Sequence, residues 1–222
     1  MNEEEEKKEE LVKEETPEEA RAKTINFIIF ASILIILFLA IVFVPKFINK
    51  TKFEGNKYNN FEFTPVGKFW YTEIQSGNQR SPVPFYYHPS ELEDIIIDST
   101  LKEKFLDMKR NNGSIFITLD PDSESNEVVL AGVEISKITG QWYQIPTSSA
   151  FIKPPSNAVT ESETPIITCR HSSNRTLVVW LTLSNVNLAS SEGYCVILEA
   201  KTYTDMIRVA DRVVYQLLGI MD

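Results

Sequence analysis

The two cysteines, Cys169 and Cys195, carry the most reactive side chains of this chain. A thiol can act as a nucleophile, ligate a metal or oxidise to a disulfide. If the protein works outside the cytoplasm, the simplest interpretation is a disulfide that joins two late strands, because exported thiols tend to oxidise. In a reducing compartment the two residues would instead be separate buried thiols. We predict the disulfide and keep the separate thiols as the alternative.

A catalytic role for Cys169 rests on a resemblance. The dipeptide Thr168-Cys169 at a strand end, with Arg175 before the next strand, is similar to the nucleophile region of sortase transpeptidases. The resemblance implies that Cys169 attacks an acyl carbon, that His88 protonates the leaving amine and that Arg175 stabilises the oxyanion. However, Arg175 follows the cysteine more closely than in that family, and His88 lacks the expected motif. We predict no catalytic residue, and the alternative is a membrane-tethered transpeptidase or hydrolase that uses Cys169.

An acidic turn, Asp120-Pro121-Asp122, follows an apolar strand, which is where α/β proteins place many sites. It resembles the Asp-x-Asp motif of haloacid-dehalogenase-like phosphotransferases, which implies a nucleophilic Asp120, an acid at Asp122 and Mg²⁺. The residues that follow do not continue that pattern, and as a Ca²⁺ loop the segment has Ser125 where an EF-hand needs glycine. An ordinary turn is favoured. We predict no metal and no cofactor.

Aromatic side chains occur in two clusters, one on each side of the polar loop 75–81. Tyrosine and tryptophan are favoured at interfaces, and their rings stack on sugars or peptides. The alternative is that half of these rings build the core. The candidate binding surface consists of Trp70, Tyr71, Tyr86 and Tyr87.

Residues 25–44 form an apolar run that only Asn26 and Ser32 interrupt. About 20 apolar residues match a bilayer core, whereas a cleavable signal peptide has a shorter apolar stretch and a small-residue cleavage site. We predict a transmembrane signal anchor within a helix at 17–47, after an acidic tail at 1–16 that is disordered or a solvated helix. The flanking positive charges nearly balance, so the composition of the later domain decides our assignment: N-terminus cytoplasmic, domain outside.

After a linker at 48–60, residues 61–222 have the pattern of one globular α+β domain. Its clearest element is an amphipathic helix at 206–218, whose apolar stripe should cover a mixed β-sheet. A partner helix or the membrane surface is the alternative for that stripe. The other predicted elements are a hairpin around 65–67, helices at 91–97, 101–108 and 126–139, and strands at 115–119, 141–145, 166–169, 176–183 and 194–199.

Four segments carry a resemblance to known proteins: 58–63 (YNNFEF), 70–72 (WYT), 164–169 (TPIITC) and 210–221 (ADRVVYQLLGIM). They resemble uncharacterised small membrane-anchored proteins of DPANN archaea, over most of the region after the predicted anchor. The resemblance implies an archaeal cell envelope and no particular activity.

The formal net charge of −9 excludes a nucleic-acid binder, which would concentrate positive charge on one face. A domain whose sequence shows no set of catalytic residues more often binds a partner than catalyses a reaction. We therefore predict a single-pass membrane protein that presents its domain for binding or structural interaction at the cell envelope, without catalysis. Its expected partners are the lipid bilayer and a protein.

Overall fold

The structure is a computed structural model, and two units divide the chain, residues 1–55 and 56–222. The described residues are 28–39, 56–76, 79–123, 125–156 and 163–222.

In the first unit, residues 28–39 form a helix whose apolar side chains are exposed, with Ile36 and Phe38 each at 66%. Crossing a bilayer takes about 20 residues, and within the described ranges no helix combines that length with sufficient apolar character. The predicted transmembrane helix at 25–44 is therefore wrong as an element of this fold. The acidic tail, the remainder of the predicted helix at 17–47 and the linker up to residue 55 lie outside the described residues.

Five short antiparallel strands open the second unit. They are β1 (Lys57–Tyr58), β2 (Phe61–Glu62), β3 (Thr64–Val66), β4 (Phe69–Ser76) and β5 (Gln79–Phe85). β1 pairs with β2, and the other three form a sheet in the order β3-β4-β5. The hairpin predicted around 65–67 is confirmed as the turn between β3 and β4, where Gly67 adopts a φ of 62° that favours glycine.

A mixed six-stranded sheet follows. Its strands are β6 (Ile96–Ile97), β7 (Ser114–Leu119), β8 (Thr147–Phe151), β9 (Thr176–Leu183), β10 (Leu188–Glu192) and β11 (Cys195–Ala200). The order is β6-β10-β11-β9-β7-β8, in which β10 and β6 run opposite to the other four. In central β9, Leu177, Val178 and Val179 are fully buried, as a strand covered on both faces requires.

Three helices complete the unit: α1 (Leu101–Arg110), α2 (Asn126–Ser136) and α3 (Tyr203–Leu218). Helix α3 begins at Thr202, whose Oγ1 accepts a bond from the Asp205 N–H at 3.1 Å, and ends at Gly219 with a φ of 73°. Its apolar stripe, including Val209 and Val213, is fully buried against β11 and α2. The α+β prediction, with a mixed sheet and a covering C-terminal helix, is confirmed.

The second strand of the predicted β-α-β unit lies elsewhere than expected. Residues 141–145 are not a strand, because a π-helix, Lys137–Trp142, prolongs α2. The strand that pairs in parallel with β7 is β8, at the edge of the sheet. Ser148 and Ser149 of β8 are exposed, so this strand lacks the apolar pattern on which the prediction depended.

Two more predicted elements are wrong. Instead of a strand at 166–169, an isolated bridge joins Ile166 to Phe151 and a 3₁₀ turn follows at Cys169–His171. Instead of a helix at 91–97, there is a 3₁₀ turn at Pro89–Glu91 and then β6. In both segments the backbone N–H groups bond the carbonyl three residues earlier, as Leu92 does to Pro89 and His171 to Thr168, which is the bonding of a 3₁₀ turn.

Candidate functional site

Cys169 is paired with the other cysteine of the chain. Its Sγ lies 1.98 Å from the Sγ of Cys195, so the two sulfurs are at disulfide distance, as the sequence predicted. Cys169 begins a 3₁₀ turn after Thr168, and Cys195 begins β11. The bond therefore ties the loop before β9 to the amino-terminal end of β11. A thiolate nucleophile would form only after this bond is reduced.

His88, the predicted acid, lies in an aromatic cluster. Its side chain is 6% exposed, and its ring centroid is 5.0 Å from that of Phe63 and 4.9 Å from that of Trp70. The Nδ1 atom is 2.8 Å from Oγ of Ser90, and the His88 N–H donates to Oε2 of Glu91 at 2.7 Å. Burial lowers the pKa of His88. These contacts make His88 the N-cap of the 3₁₀ turn that follows it.

Arg175, the predicted oxyanion group, is an exposed residue before β9. Its N–H donates to Oγ of Ser173 at 3.3 Å, and its carbonyl accepts from the Ser114 N–H at 2.9 Å. Within the described part of the chain, no hydrogen bond or ion pair joins the side chains of Cys169, His88 and Arg175. The structure thus does not assemble the catalytic group that the sortase resemblance implied.

The acidic turn after β7 lines a small cleft of about 250 Å³, here named the Asp120 cleft. Its apolar floor includes Val128 and Met206. Lys153 bridges the two carboxylates, since its Nζ is 3.1 Å from Oδ2 of Asp120 and 3.0 Å from Oδ2 of Asp122. The cleft lies at the carboxyl ends of β7 and β9, the usual position of sites in parallel sheets.

The carboxylates of the Asp120 cleft already have hydrogen-bond and ion-pair partners within the protein. Ser156 donates its N–H to Oδ1 of Asp122 at 2.8 Å and its hydroxyl to Oδ2 at 2.6 Å. These bonds, followed by the one from Lys153, lower the pKa of Asp122 to about 2. Bonds to both carboxylates raise the pKa of Lys153 in turn. In the described ranges, no group of three acidic, histidine or cysteine side chains could hold a metal ion.

The four candidate aromatic residues divide between the core and the surface. Trp70 packs on His88 and, like Tyr87, lies partly buried against the core. Tyr86 packs edge-on against Phe69 at 4.9 Å between centroids, so its face is partly occupied. Tyr71 is half-buried and lines a much larger cleft. Of the predicted binding surface, Tyr71 is therefore the residue that borders substantial open space.

This second cleft, named here the edge cleft, has a volume of about 1060 Å³. That is at the upper end of the roughly 300–1000 Å³ of clefts that take drug-sized ligands. It lies beside β1, β2 and β4, and the end of α3 borders it. Its principal lining residues are Lys57, Asn59, Asn60, Phe61, Tyr71, Glu73, Ile74, Arg80 and Leu218.

The edge cleft begins where the ladder between β3 and β4 stops, although β2 stays close to β4 without pairing with it. β3 pairs with β4 from Val66 opposite Phe69 to Thr64 opposite Tyr71, and the chain before Thr64 pairs with β1 instead. Asn59, in the left-handed region at φ 51°, fixes this hairpin by donating its Nδ2 to the Ile220 carbonyl at 2.7 Å. The part of β4 beyond Tyr71 therefore borders the cleft.

A buried carboxylate fastens the small sheet to α3. Oδ2 of Asp211 accepts the N–H groups of Tyr86 at 2.9 Å and Tyr87 at 3.0 Å, just after β5. Asp211 is completely buried, and its burial, followed by repulsion from Glu134, raises its pKa well above the ordinary value. Lys137 binds Glu134 and donates to the Pro84 carbonyl at 2.9 Å. These bonds attach the end of β5, and with it the sheet that borders the edge cleft, to α3 and to Lys137.

Sequence reasoning found Tyr71 but missed Glu73 and the hairpin residues of the edge cleft. A usable signal was present in β5, where Pro82 and Pro84 alternate with other residues. Proline lacks a backbone N–H and is confined to edge strands and bulges, so this spacing indicates a small sheet with exposed edges.

Comparisons with protein-family models, with curated proteins and with solved structures found no match to this chain. The resemblance to DPANN membrane-anchored proteins stays a prediction.

Proposed function

We propose that the second unit is a non-catalytic binding domain that works outside the cytoplasm and holds its ligand in the edge cleft. The observation that carries the proposal is the edge cleft itself. It combines a ring face at Tyr71, an apolar floor at Ile74 and Leu218, and exposed polar groups at Asn60 and Glu73. Most of the other lining side chains are polar or charged, so the cleft suits a ligand that carries polar groups of its own.

The pairing of the cysteines supports both parts of this proposal. A disulfide between Cys169 and Cys195 removes the one thiol for which a catalytic resemblance exists, and the ring of His88 contacts Ser90 instead of Cys169. Disulfides persist in oxidising compartments, which favours a setting outside the cytoplasm. The Asp120 cleft is a weaker candidate, because Lys153 and Ser156 already occupy its carboxylates.

Non-reducing mass spectrometry of the native full-length protein tests the absence of cysteine chemistry. We expect an intact link between Cys169 and Cys195, with a mass lower by two hydrogen atoms than after reduction. The matched measurement is alkylation near neutral pH without reductant. Rapid alkylation of Cys169 in the native protein would overturn this part of the proposal and favour the transpeptidase alternative.

The binding part is tested by NMR with the labelled full-length chain and two probe classes, short extended peptides and cellotetraose. We expect one class to shift the amide signals of Tyr71 and Glu73 in a saturable way. The signals of Asp122, which lines the Asp120 cleft, and of Ser156, which bonds it, serve as the internal control. If both probe classes leave the edge cleft unshifted, the proposed binding function fails.

A further inference from the structure

We propose that the ligand of the edge cleft is an extended peptide that adds as a strand to β4 and pairs with the backbone of Glu73. This inference rests on the proposed binding function and names its ligand class. Strand addition to an exposed sheet edge is a common mode of peptide recognition, in which main-chain bonds provide affinity and side chains provide selectivity.

The register of β4 and β5 shows which backbone groups face outward. Antiparallel pairs alternate between residues that exchange two hydrogen bonds and residues that exchange none. Glu73 lies opposite Pro82, and Tyr71 lies opposite Pro84. Because proline has no N–H, both must be non-bonded pairs. The N–H and carbonyl of Glu73 therefore point away from β5, toward the cleft.

The side of β4 that faces the cleft forms no ladder bond to a described strand at this position, although β2 lies close to β4, so a peptide would enter between these two strands. In the described ranges, β3 pairs with β4 only as far as Tyr71, two residues before Glu73. An unpaired strand edge is a template for another strand. The outer edge of β5 is unsuited to the same role, because Pro82 and Pro84 offer no N–H and Lys137 already binds the Pro84 carbonyl.

The side chains around Glu73 specify the chemistry of the peptide. A residue opposite Glu73 would share its exposed face, so a lysine or arginine there would pair with the carboxylate. The two neighbours of that residue would point to the other face, the face of Ile74, in a cleft that Phe61 and Leu218 also line. The structure thus favours an alternating segment in which a basic residue stands between two apolar ones.

A second copy of the chain is a poorer occupant than such a peptide. Two β4 strands paired antiparallel about Glu73 would place the two Glu73 carboxylates directly opposite each other. Like charges in that position are destabilising. The nearby Lys57 would not relieve the repulsion, since it already forms an ion pair with Glu62 at 2.9 Å.

The central experiment compares two substitutions at one position of the full-length chain. Glu73→Pro removes the outward N–H, and Pro82 and Pro84 show that this sheet accepts proline where no ladder bond is made. With the blocked pentapeptide Thr-Val-Lys-Val-Thr, we expect Glu73→Pro to weaken binding about tenfold. The matched control, Glu73→Ala, removes only the carboxylate and should weaken binding at most about threefold.

A variant peptide tests the same bond from the other side and does not depend on the folding of Glu73→Pro. The pentapeptide with an N-methylated lysine amide should bind the wild-type chain about tenfold more weakly, because it cannot donate to the Glu73 carbonyl. Replacing its lysine by glutamate should also weaken binding. Equal affinity of the plain and N-methylated peptides, together with equal affinity of the two protein variants, would overturn strand addition.

The outcomes separate this inference from the proposed function. If cellotetraose alone shifts the edge-cleft amides, the peptide inference is overturned while the binding function stands. If neither probe shifts them, both are overturned. Sedimentation of the wild-type chain without peptide tests the second copy: a dimer that Glu73→Pro abolishes would overturn the peptide in favour of self-pairing.

Discussion

The edge cleft and the Asp120 cleft both combine charged and aromatic side chains, but their polar groups are satisfied in opposite ways. In the Asp120 cleft, Lys153 forms ion pairs with both carboxylates, and Ser156 donates two hydrogen bonds to one of them. In the edge cleft, the side chain of Glu73 is exposed, and its backbone groups face outward. The first arrangement holds a loop, and the second leaves polar groups for a ligand.

This difference separates position in the fold from capacity to bind. The Asp120 cleft lies where parallel sheets usually carry their sites, at the carboxyl ends of β7 and β9. The edge cleft lies on a peripheral antiparallel sheet, yet it is roughly four times larger in volume, at about 1060 against about 250 Å³. Function is therefore better argued from the site than from the fold.

Removing the disulfide should have the largest effect on stability and should not distinguish the two clefts. Cys169 and Cys195 close a loop with a sequence separation of 26. The double variant Cys169→Ala, Cys195→Ala is expected to lower the free energy of unfolding by about 3 kcal/mol, because the unfolded chain regains the entropy of that loop. Urea unfolding measures the change.

The matched control for this variant is the wild-type protein under reducing conditions, which should unfold at the same urea concentration as the double variant. Neither cleft is lined by a cysteine. Well below the unfolding transition, peptide affinity at the edge cleft should therefore be unchanged. A loss of affinity upon reduction would mean that the disulfide shapes the cleft.

The second-largest expected effect is a pH dependence of the free energy of unfolding, which originates at Asp211 beside the small sheet and not at the Asp120 cleft. Burial raises the pKa of Asp211 in the folded protein above its unfolded value, so its contribution to stability is complete below about pH 4 and is lost as the pH rises through the folded pKa. Over that window the free energy of unfolding should fall by about 1.4 kcal/mol per pH unit from this group. Urea unfolding at a series of pH values gives the slope.

Asp211→Asn is the control, because asparagine retains an oxygen for the N–H groups of Tyr86 and Tyr87 but cannot ionise. The slope should be smaller in this variant. Hydrogen exchange should show the amides of Tyr86 and Tyr87, which anchor the small sheet, losing protection as the pH rises, relative to Ser156 in the Asp120 cleft. An identical slope in Asp211→Asn would assign the pH dependence to other groups.

Sequence patterns predicted the parts of the fold whose periodicity reflects burial. The stripe of α3 and the apolar run of β9 could be located because core packing demands them. β8 was misplaced, because an edge strand with exposed serines has no such pattern and a π-helix prolongs α2 beyond Ser136. The predicted membrane span depended on the length of the apolar run at 25–44 and on its flanks, and the described residues of that run are 28–39.

The candidate site was harder to predict from the sequence, because it depends on which way the backbone N–H and carbonyl groups of β4 point. Tyr71 could be named from its residue type, but the importance of Glu73 follows from its register opposite Pro82. Asn59 matters through a bond to the carbonyl of Ile220, far along the chain. The pairing of Cys169 with Cys195 could be predicted from the even cysteine count together with the expected exported setting. The roles expected for His88 and Arg175 depended on contacts that no local pattern contains.

The smallest expected effect concerns the Asp120 cleft. The Ser156 hydroxyl and N–H, followed by Lys153, hold the pKa of Asp122 at about 2 against its ordinary 3.8. Ser156→Ala, which removes the hydroxyl bond, and Lys153→Met, which removes the ammonium group, should therefore each raise the Asp122 pKa, as NMR titration of the side-chain carboxyl carbon would show. Because the folded pKa is depressed, this interaction stabilises the protein above pH 4 and is lost as the pH falls toward 2.

The matched control for Lys153→Met is Lys57→Met, which breaks the ion pair with Glu62 in the edge cleft and should leave the Asp122 pKa unchanged. Ser156→Ala and Lys153→Met should in turn leave peptide affinity at Glu73 unaltered, because the two clefts share no lining residue. If Lys153→Met instead bound a basic peptide at Asp120, the ion pairs of Lys153 would be what excludes ligands from that cleft. The two clefts would then differ only in whether their carboxylates are already paired.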